Sequence, residues 1–368
     1  MRTNKIAALL LAVLMLVPVV AGCGEEPVSA ITFRDTSISE NEYCYMMSYY
    51  KGLYLYNYFG KTADDPTIWT SELTDGVTIG DYLGALTVSN IMSAAVYTDL
   101  FDEYGLTLTN EEINSVDKYI DGLISKLGSK SALNSALSAF GANIDAMRKV
   151  KIDSLKVTKL QEHLYGDNGI YAATEEEIDA YYNENYYRTK FIFISKTLEY
   201  ERGENGEYKK NDEGNIVTRE LTDEEKAAKA TLFKDIEARI ASGEDFEALL
   251  KEYTMDTGML HFDDGYYINS ASTFVESKVK TAVEELEINK TSSLETDAGW
   301  YIIKRYELID GAYDKEEYAS AMFGGDLGET VNTVKMQKLL SEYSEEIIVN
   351  DQTVADYPLA YCTPNFNY

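Results

Sequence analysis

Few residues in this chain are suited to acid–base, nucleophilic or metal chemistry, and those few are scattered. Among 368 residues there are 2 histidines, His163 and His261, and 3 cysteines, Cys23, Cys44 and Cys362. Structural zinc needs four converging Cys or His ligands at characteristic spacings, and neither histidine is accompanied by a ligand-spaced Cys or carboxylate cluster. No Gly-rich phosphate loop and no Gly-x-Ser-x-Gly turn is present. The expectation is therefore no metal and no cofactor. Charge removes a further class of function, since 33 basic residues face 63 acidic ones for a net charge of −30. Nucleic acid is not an expected partner, because holding phosphates takes a concentrated basic face. The acidity serves solubility.

Of the cysteines, Cys23 has the most informative surroundings. Arg2 and Lys5 are followed by an uncharged apolar run from Ile6 to Val20 that ends in small residues, which is the layout of an export signal. The run falls short of the roughly 20 apolar residues that a membrane span needs, so cleavage after residue 22 is expected. Val20-Ala21-Gly22-Cys23 resembles the lipobox of bacterial lipoproteins, which implies lipidation of Cys23 and a tether over residues 23–29. Two acyl chains on Cys23 would hold the chain stably at a membrane where one would not. Loss of Arg2 and Lys5 takes the formal charge from −30 to −32, so anionic lipid repels the body that the anchor holds. Only Cys44 and Cys362 then remain, too few for a disulfide framework. A single bridge between them stays open.

The elements that must position any site change character along the chain. From residue 30 to 184 the pattern is mostly helical. A strand at Ala30–Arg34 precedes capping boxes at Ser39-Glu40-Asn41-Glu42, Thr109-Asn110-Glu111-Glu112 and Thr174-Glu175-Glu176-Glu177, each opening a helix by reciprocal side-chain bonds. Helices are predicted over about 39–59, 79–104, 110–128, 132–140, 143–165 and 174–185. Lys190-Phe191-Ile192-Phe193-Ile194-Ser195 is instead a β-branched and aromatic run, as in a buried strand. The polar stretch 201–218 predicts a protruding hairpin or loop. Thr222-Asp223-Glu224-Glu225 caps a further helix to Ser242. Asp245-Phe246 begins a shorter one, a third follows at 277–286, and Trp300–Tyr306 is a strand. The fold class expected is α+β. A helical domain is interrupted by an α+β module over 185–310, and segment 311–368, with a helix near 327–343 and a strand at 347–349, packs back on the helical part.

The module resembles the parvulin-type peptidyl-prolyl isomerases, and the whole arrangement resembles extracytoplasmic foldases of the PrsA and SurA type. The pieces that carry the likeness are Tyr187 to Ile194 for the first strand, Ile240-Ala241-Ser242-Gly243-Glu244-Asp245-Phe246 with Tyr253-Thr254-Met255-Asp256 for the helix pair and its exit, Phe274-Val275-Glu276, and Thr296 to Ile303 for the closing strand. Their order and spacing are more specific than any one of them. The resemblance implies Asp256 and Tyr301 as catalytic candidates and Phe191, Phe274 and Trp300 as the proline pocket. It also exposes departures. Where family members carry one histidine in the first strand and one in the last, this chain has Phe191 and Tyr301, and Ser270 replaces a usual Met or Leu. X-Pro rotation needs no covalent step to pass its barrier of about 18–20 kcal/mol, but the Tyr301 hydroxyl alone is left to hydrogen-bond Asp256, since Phe191 has none. Reduced isomerase activity is expected.

Thirty tyrosines are present, and Tyr43, Tyr45, Tyr49, Tyr50, Tyr54, Tyr56 and Tyr58 share one helix. Spread around the helix as they are, they cannot all face one core. Tyr, with Met46, Met47 and Met92, gives adaptable contact area suited to varied unfolded segments; a Tyr-rich core with wet rims is the alternative. The function expected is an extracytoplasmic foldase or holdase of the lipid-anchored kind, with unfolded or proline-containing exported polypeptides as partners. The rival is a non-catalytic binding or structural lipoprotein with a degenerate isomerase fold.

Overall fold

A computed structural model describes residues 28–367 apart from 75 and 204–207. The expected signal, Cys23 and most of the tether lie outside the described residues. No helix among the described residues is long and apolar enough to cross a membrane. The chain divides into two compact units, one formed by residues up to Ala172 together with those from Asn332 on, the other by Ala173–Val331.

The first unit is helical around a small sheet. Strand β1 (Ser29–Phe33) lies between β2 (Thr36–Ser39) and the C-terminal strand Ile347–Val349, both antiparallel, with Ile31 opposite Val349 and Phe33 opposite Ile347. Helices α1 (Glu40–Phe59) and α2 (Ile79–Glu103) pack on it, α4 (Ile144–Tyr165) packs on both of them, and α3 (Asn110–Leu127) packs on α4. Their starts are fixed locally. Ser39 N donates to Glu42 Oε2 at 2.9 Å, and Thr109 N to Glu112 Oε2 at 2.6 Å, closing capping boxes that satisfy amides the helices leave unpaired. A third box, Thr78 with Asp81, uses a shorter acid than the motif sought in the sequence. Gly60 and Gly128 end α1 and α3 at φ 60° and 90°, where a Cβ would be strained. Phe33, Leu55, Ile91, Leu100, Phe101 and Met147 lie at the centre of the core. The tyrosines of α1 divide, with Tyr43, Tyr45 and Tyr54 buried and Tyr49, Tyr56 and Tyr58 exposed.

The second unit is an α+β module. Helix α5 (Glu175–Asn185) leads into β3 (Tyr187–Ser195), followed by a hairpin of Leu198–Tyr200 with Thr218–Glu220. Then come α6 (Asp223–Ala241), α7 (Phe246–Tyr253), α8 (Thr257–His261), β4 (Tyr266–Ile268), α9 (Ser277–Glu285), β5 (Thr291–Glu295) and β6 (Gly299–Tyr306). The sheet order is β4-β3-β6-β5, all antiparallel, with Phe191 opposite Ile303 and Phe193 opposite Tyr301. Cross-strand partners share a face, so Phe191, Phe193, Tyr301 and Ile303 look one way and Ile192, Ile194, Trp300 and Ile302 the other.

The division of the chain differs from the boundaries read in the sequence at both ends. Helix α5 belongs with the sheet, because Tyr182 donates to Ile309 O at 3.0 Å and its ring meets Tyr313 and Phe323 at 5.2 and 5.9 Å. Residues 312–331, assigned from the sequence to the terminal segment, likewise bury Ala312, Tyr318, Met322, Phe323 and Leu327 in this second core. Aromatic contacts at this end, invisible to local patterns, decide the matter.

Candidate functional site

Strand β4 pairs with β3 only as far as Thr189. Beyond it, Thr254 and Met255 take over that edge. Phe193 N donates to Thr254 Oγ1 at 3.1 Å, Thr254 Oγ1 to Phe191 O at 3.3 Å, and Met255 N to Phe193 O at 2.8 Å. Asp256 is thereby delivered to the sheet edge, where it caps α8. Its Oδ1 accepts from Met259 N at 2.7 Å and from the Tyr266 hydroxyl at 2.7 Å. That second bond needs Gly258, because a Cβ there would stand 2.1 Å from Tyr266 Oη. Burial, and then the Asp256 charge, hold the Tyr266 phenol far above its usual titration range.

Tyr301 lies between Phe191, edge-on at 5.3 Å, and Phe193, tilted at 4.7 Å. Its hydroxyl does not reach Asp256 as expected but donates to Glu276 Oε1 at 2.9 Å, an oxygen that also accepts from Thr296 Oγ1 at 3.1 Å. Glu276, at the N-terminal end of α9, supplies the nearer acceptor. Burial and this bond to Glu276 push the Tyr301 phenol well up, and Asp256 acts on it only through its charge. Phe274, 44% exposed, meets Tyr266 edge-on at 5.5 Å, and Tyr266 meets Phe191 at 5.6 Å.

Phe191, Asp256 and Phe274, read from the sequence, thus meet Tyr266, and Tyr301 joins them through Phe191. Trp300 is not. Adjacent residues of a strand face opposite ways, and Trp300 stacks on Phe233 of α6 at 5.9 Å with Lys196 Nζ 5.1 Å above its ring. Ser270 is exposed, its carbonyl accepting from Lys280 Nζ at 2.9 Å. Sequence reasoning missed Tyr266, Glu276 and Gly258. Tyr266 lies in Tyr266-Tyr267-Ile268, a run apolar enough to have been a strand candidate, whereas nothing local marks Glu276 or Gly258. Chemically, the cluster offers neutral phenols and an apolar wall, which is what stabilising a twisted, less polar amide would use. It is also closed, with Phe191 2% and Tyr301 8% exposed.

The helical unit holds open space of a different kind. Two grooves share Met46, Tyr50, Val150 and Ser154 as walls, a cavity of about 520 Å³ lined by α1, α2 and α4 and one of about 400 Å³ lined by α1, α3 and α4. Tyr97 lines the first cavity and Tyr45 the second. Both hydroxyls are buried without a hydrogen-bond partner among the described residues, an arrangement folded chains keep rare. Half-exposed Tyr49 and Tyr119 stand at the rim of the second cavity.

No family model matches the sequence, and no curated protein matches it. Among solved structures the chain is similar to PrsA from Bacillus subtilis, with 18% identity over 76% of this chain and 90% of that one and a TM-score of 0.25. It is similar to a peptidylprolyl isomerase (PrsA) from Bacillus cereus at 16% identity, covering 81% and 95% of the two chains, TM-score 0.28. A third similar structure, one of two SurA-like chaperones of Campylobacter jejuni, shares 7% identity over 72% of this chain and 88% of its own, TM-score 0.22.

Proposed function

We propose that this chain is an extracytoplasmic folding factor, held at a membrane by lipid on Cys23, whose helical unit binds unfolded exported polypeptides. The α+β unit serves as a prolyl isomerase of reduced activity. The observation that carries the binding role is the pair of grooves that share Met46, Tyr50 and Val150 as walls. Methionine and tyrosine accept varied apolar side chains, and half-exposed Tyr49 and Tyr119 at the rim offer hydroxyls to the polar groups of an extended backbone. The cluster around Tyr266 supports the second role. Phe274 supplies an exposed aromatic edge for a proline ring, while Phe191 fills the space where the family resemblance puts a histidine.

The test is suppression of aggregation of a reduced, unfolded protein by the full chain, run beside a proline-peptide isomerisation assay. Suppression at stoichiometric amounts with slow isomerisation is expected. Absence of suppression at a severalfold excess refutes the binding role. The closure of the Phe191–Tyr301 cluster favours a second reading, in which the α+β unit is a non-catalytic module; zero isomerisation with intact suppression selects it.

A further inference from the structure

The C-terminal tail is laid along one stripe of α1. The Tyr357 hydroxyl donates to Glu40 Oε1 at 2.7 Å, and Asn365 N donates to Ser48 O at 2.8 Å. Lys51, with no exposed side-chain surface, donates through Nζ to the carbonyls of Ala360 at 2.9 Å and Cys362 at 2.7 Å, and to Asp64 Oδ2 at 3.0 Å. Gly52 comes so close that a Cβ there would stand 2.1 Å from the Asn365 carbonyl oxygen. Position 48 follows 40 by eight residues, and 51 and 52 follow 48 by three and four, so they lie on one face of the helix.

Cys44 is the remaining member of that stripe, one turn beyond Glu40 and one turn before Ser48. On the tail, Cys362 lies between Tyr357, which meets Glu40, and Asn365, which meets Ser48. Helix and tail therefore run in the same direction, and the ordering puts Cys44 and Cys362 in the same stretch of their contact. Cys44 is buried and Cys362 partly so, both as thiols, and Cys362 Sγ donates weakly to Pro358 O at 3.4 Å and to Tyr357 O at 3.7 Å. Their electrostatics agree with proximity. Burial and then the neighbouring Cys362 push Cys44 up to about 12, and burial pushes Cys362 up to about 11 against the opposing charge of Lys51.

We propose that Cys44 and Cys362 are a covalent modification site, oxidised to a disulfide that fastens the C-terminal tail to α1. The reaction consumes one small-molecule disulfide such as oxidised glutathione. The more accessible Cys362 attacks it and releases one glutathione thiol, then Cys44 attacks the mixed disulfide at Cys362 and releases the second. Two protein thiols become one S–S bond, and both hydrogens end on glutathione. Because thiolate is the attacking species, burial makes this slow in the finished fold and fastest while the tail is docking. The bridge joins residues 318 positions apart, a span over which a cross-link restrains the unfolded chain strongly. This inference is independent of the groove and of the isomerase reading.

The test uses the full chain carrying Cys23→Ser, reduced, unfolded and refolded at pH 8 in mixed reduced and oxidised glutathione, then alkylated and digested. The expected result is a cross-linked peptide pair containing Cys44 and Cys362, with neither residue alkylated. A thermal midpoint roughly 5 °C or more above that of the dithiothreitol-reduced protein should accompany it, and the gain should vanish in both Cys44→Ala and Cys362→Ser. Alkyl or glutathione on both cysteines after refolding to the native circular dichroism spectrum overturns the proposal. So does a bridge that leaves the midpoint unchanged or lowers it.

Discussion

Replacing Gly258 with alanine tests the candidate site at its tightest point. The added Cβ would lie 2.1 Å from Tyr266 Oη, 3.2 Å from Tyr266 Cζ and 3.3 Å from Asp256 Oδ1. The hydroxyl must therefore swing away, and the 2.7 Å bond to Asp256 is lost. A hydrogen bond to a charged group contributes about 1.5–3 kcal/mol, so Gly258→Ala should destabilise the α+β unit by about that amount. In a Tyr266→Phe background the obstructing oxygen is gone, and the nearest atoms are at ordinary or slightly tight range. Gly258 sits in α8 without a positive φ, where alanine is favoured over glycine by about 0.5–1 kcal/mol. The same substitution should then be neutral or mildly stabilising, a reversal of sign. Urea unfolding followed by tryptophan fluorescence measures it, since Trp300 reports this unit and Trp69 the other. Equal effects of Gly258→Ala in both backgrounds would refute the reasoning, as that would mean Tyr266 and Asp256 are not coupled through this contact.

Other consequences are measurable. Lys51→Ala leaves the Ala360 and Cys362 carbonyls without their donor and should cost about 3 kcal/mol, with faster amide exchange at Asn365; unchanged exchange there would contradict the clasp. Burial raises the phenols of Tyr186 and Tyr267 up to about 12. Their protonated forms are favoured in the fold, so stability should hold up to pH 10 and fall between about pH 10 and 12 as the unfolded chain ionises first. Urea midpoints across that range check the sign, and Tyr267→Phe should make the fall shallower. Glu225, lowered to about 2 by Arg219 and the Thr222 amide, gives the opposite limb. Its contribution is complete above about 4.5 and lost as pH drops towards 2, and Glu225→Gln should flatten the acid slope. Phe274→Ala removes an exposed ring and should change stability by less than about 0.5 kcal/mol while weakening proline-peptide binding several-fold, which titration by NMR would resolve.

Much of the architecture was legible because its causes are local. The boxes at Ser39, Thr109, Thr174 and Thr222 announce helix starts within four residues, and the run Lys190–Ser195 announces the central strand through its β-branched and aromatic content. What stayed hidden depends on distant partners. Strands β4 and β5 are three and five residues long, and β5, Thr291–Glu295, is too polar to declare itself. The assignment of α5 and residues 312–331 to the second unit rests on rings from four separate segments. At the site, local patterns mark Asp256, Phe191, Phe274 and Tyr301 but not their partners, because Tyr301 has Glu276 nearer than Asp256 and Asp256 has Tyr266. Trp300 was legible and misread, since strand alternation alone puts it opposite Tyr301.

The most direct measurement of the central claim is site-specific photo-cross-linking with a benzophenone residue at Tyr50, in the shared wall of the two cavities, and at Ile348, an exposed strand position outside them. With a reduced, unfolded protein present, the account predicts cross-links from position 50 that disappear when the same protein is native, and background only from position 348. Equal labelling from the two positions, or none from position 50 while aggregation is suppressed, would contradict the groove as the place where unfolded chains bind.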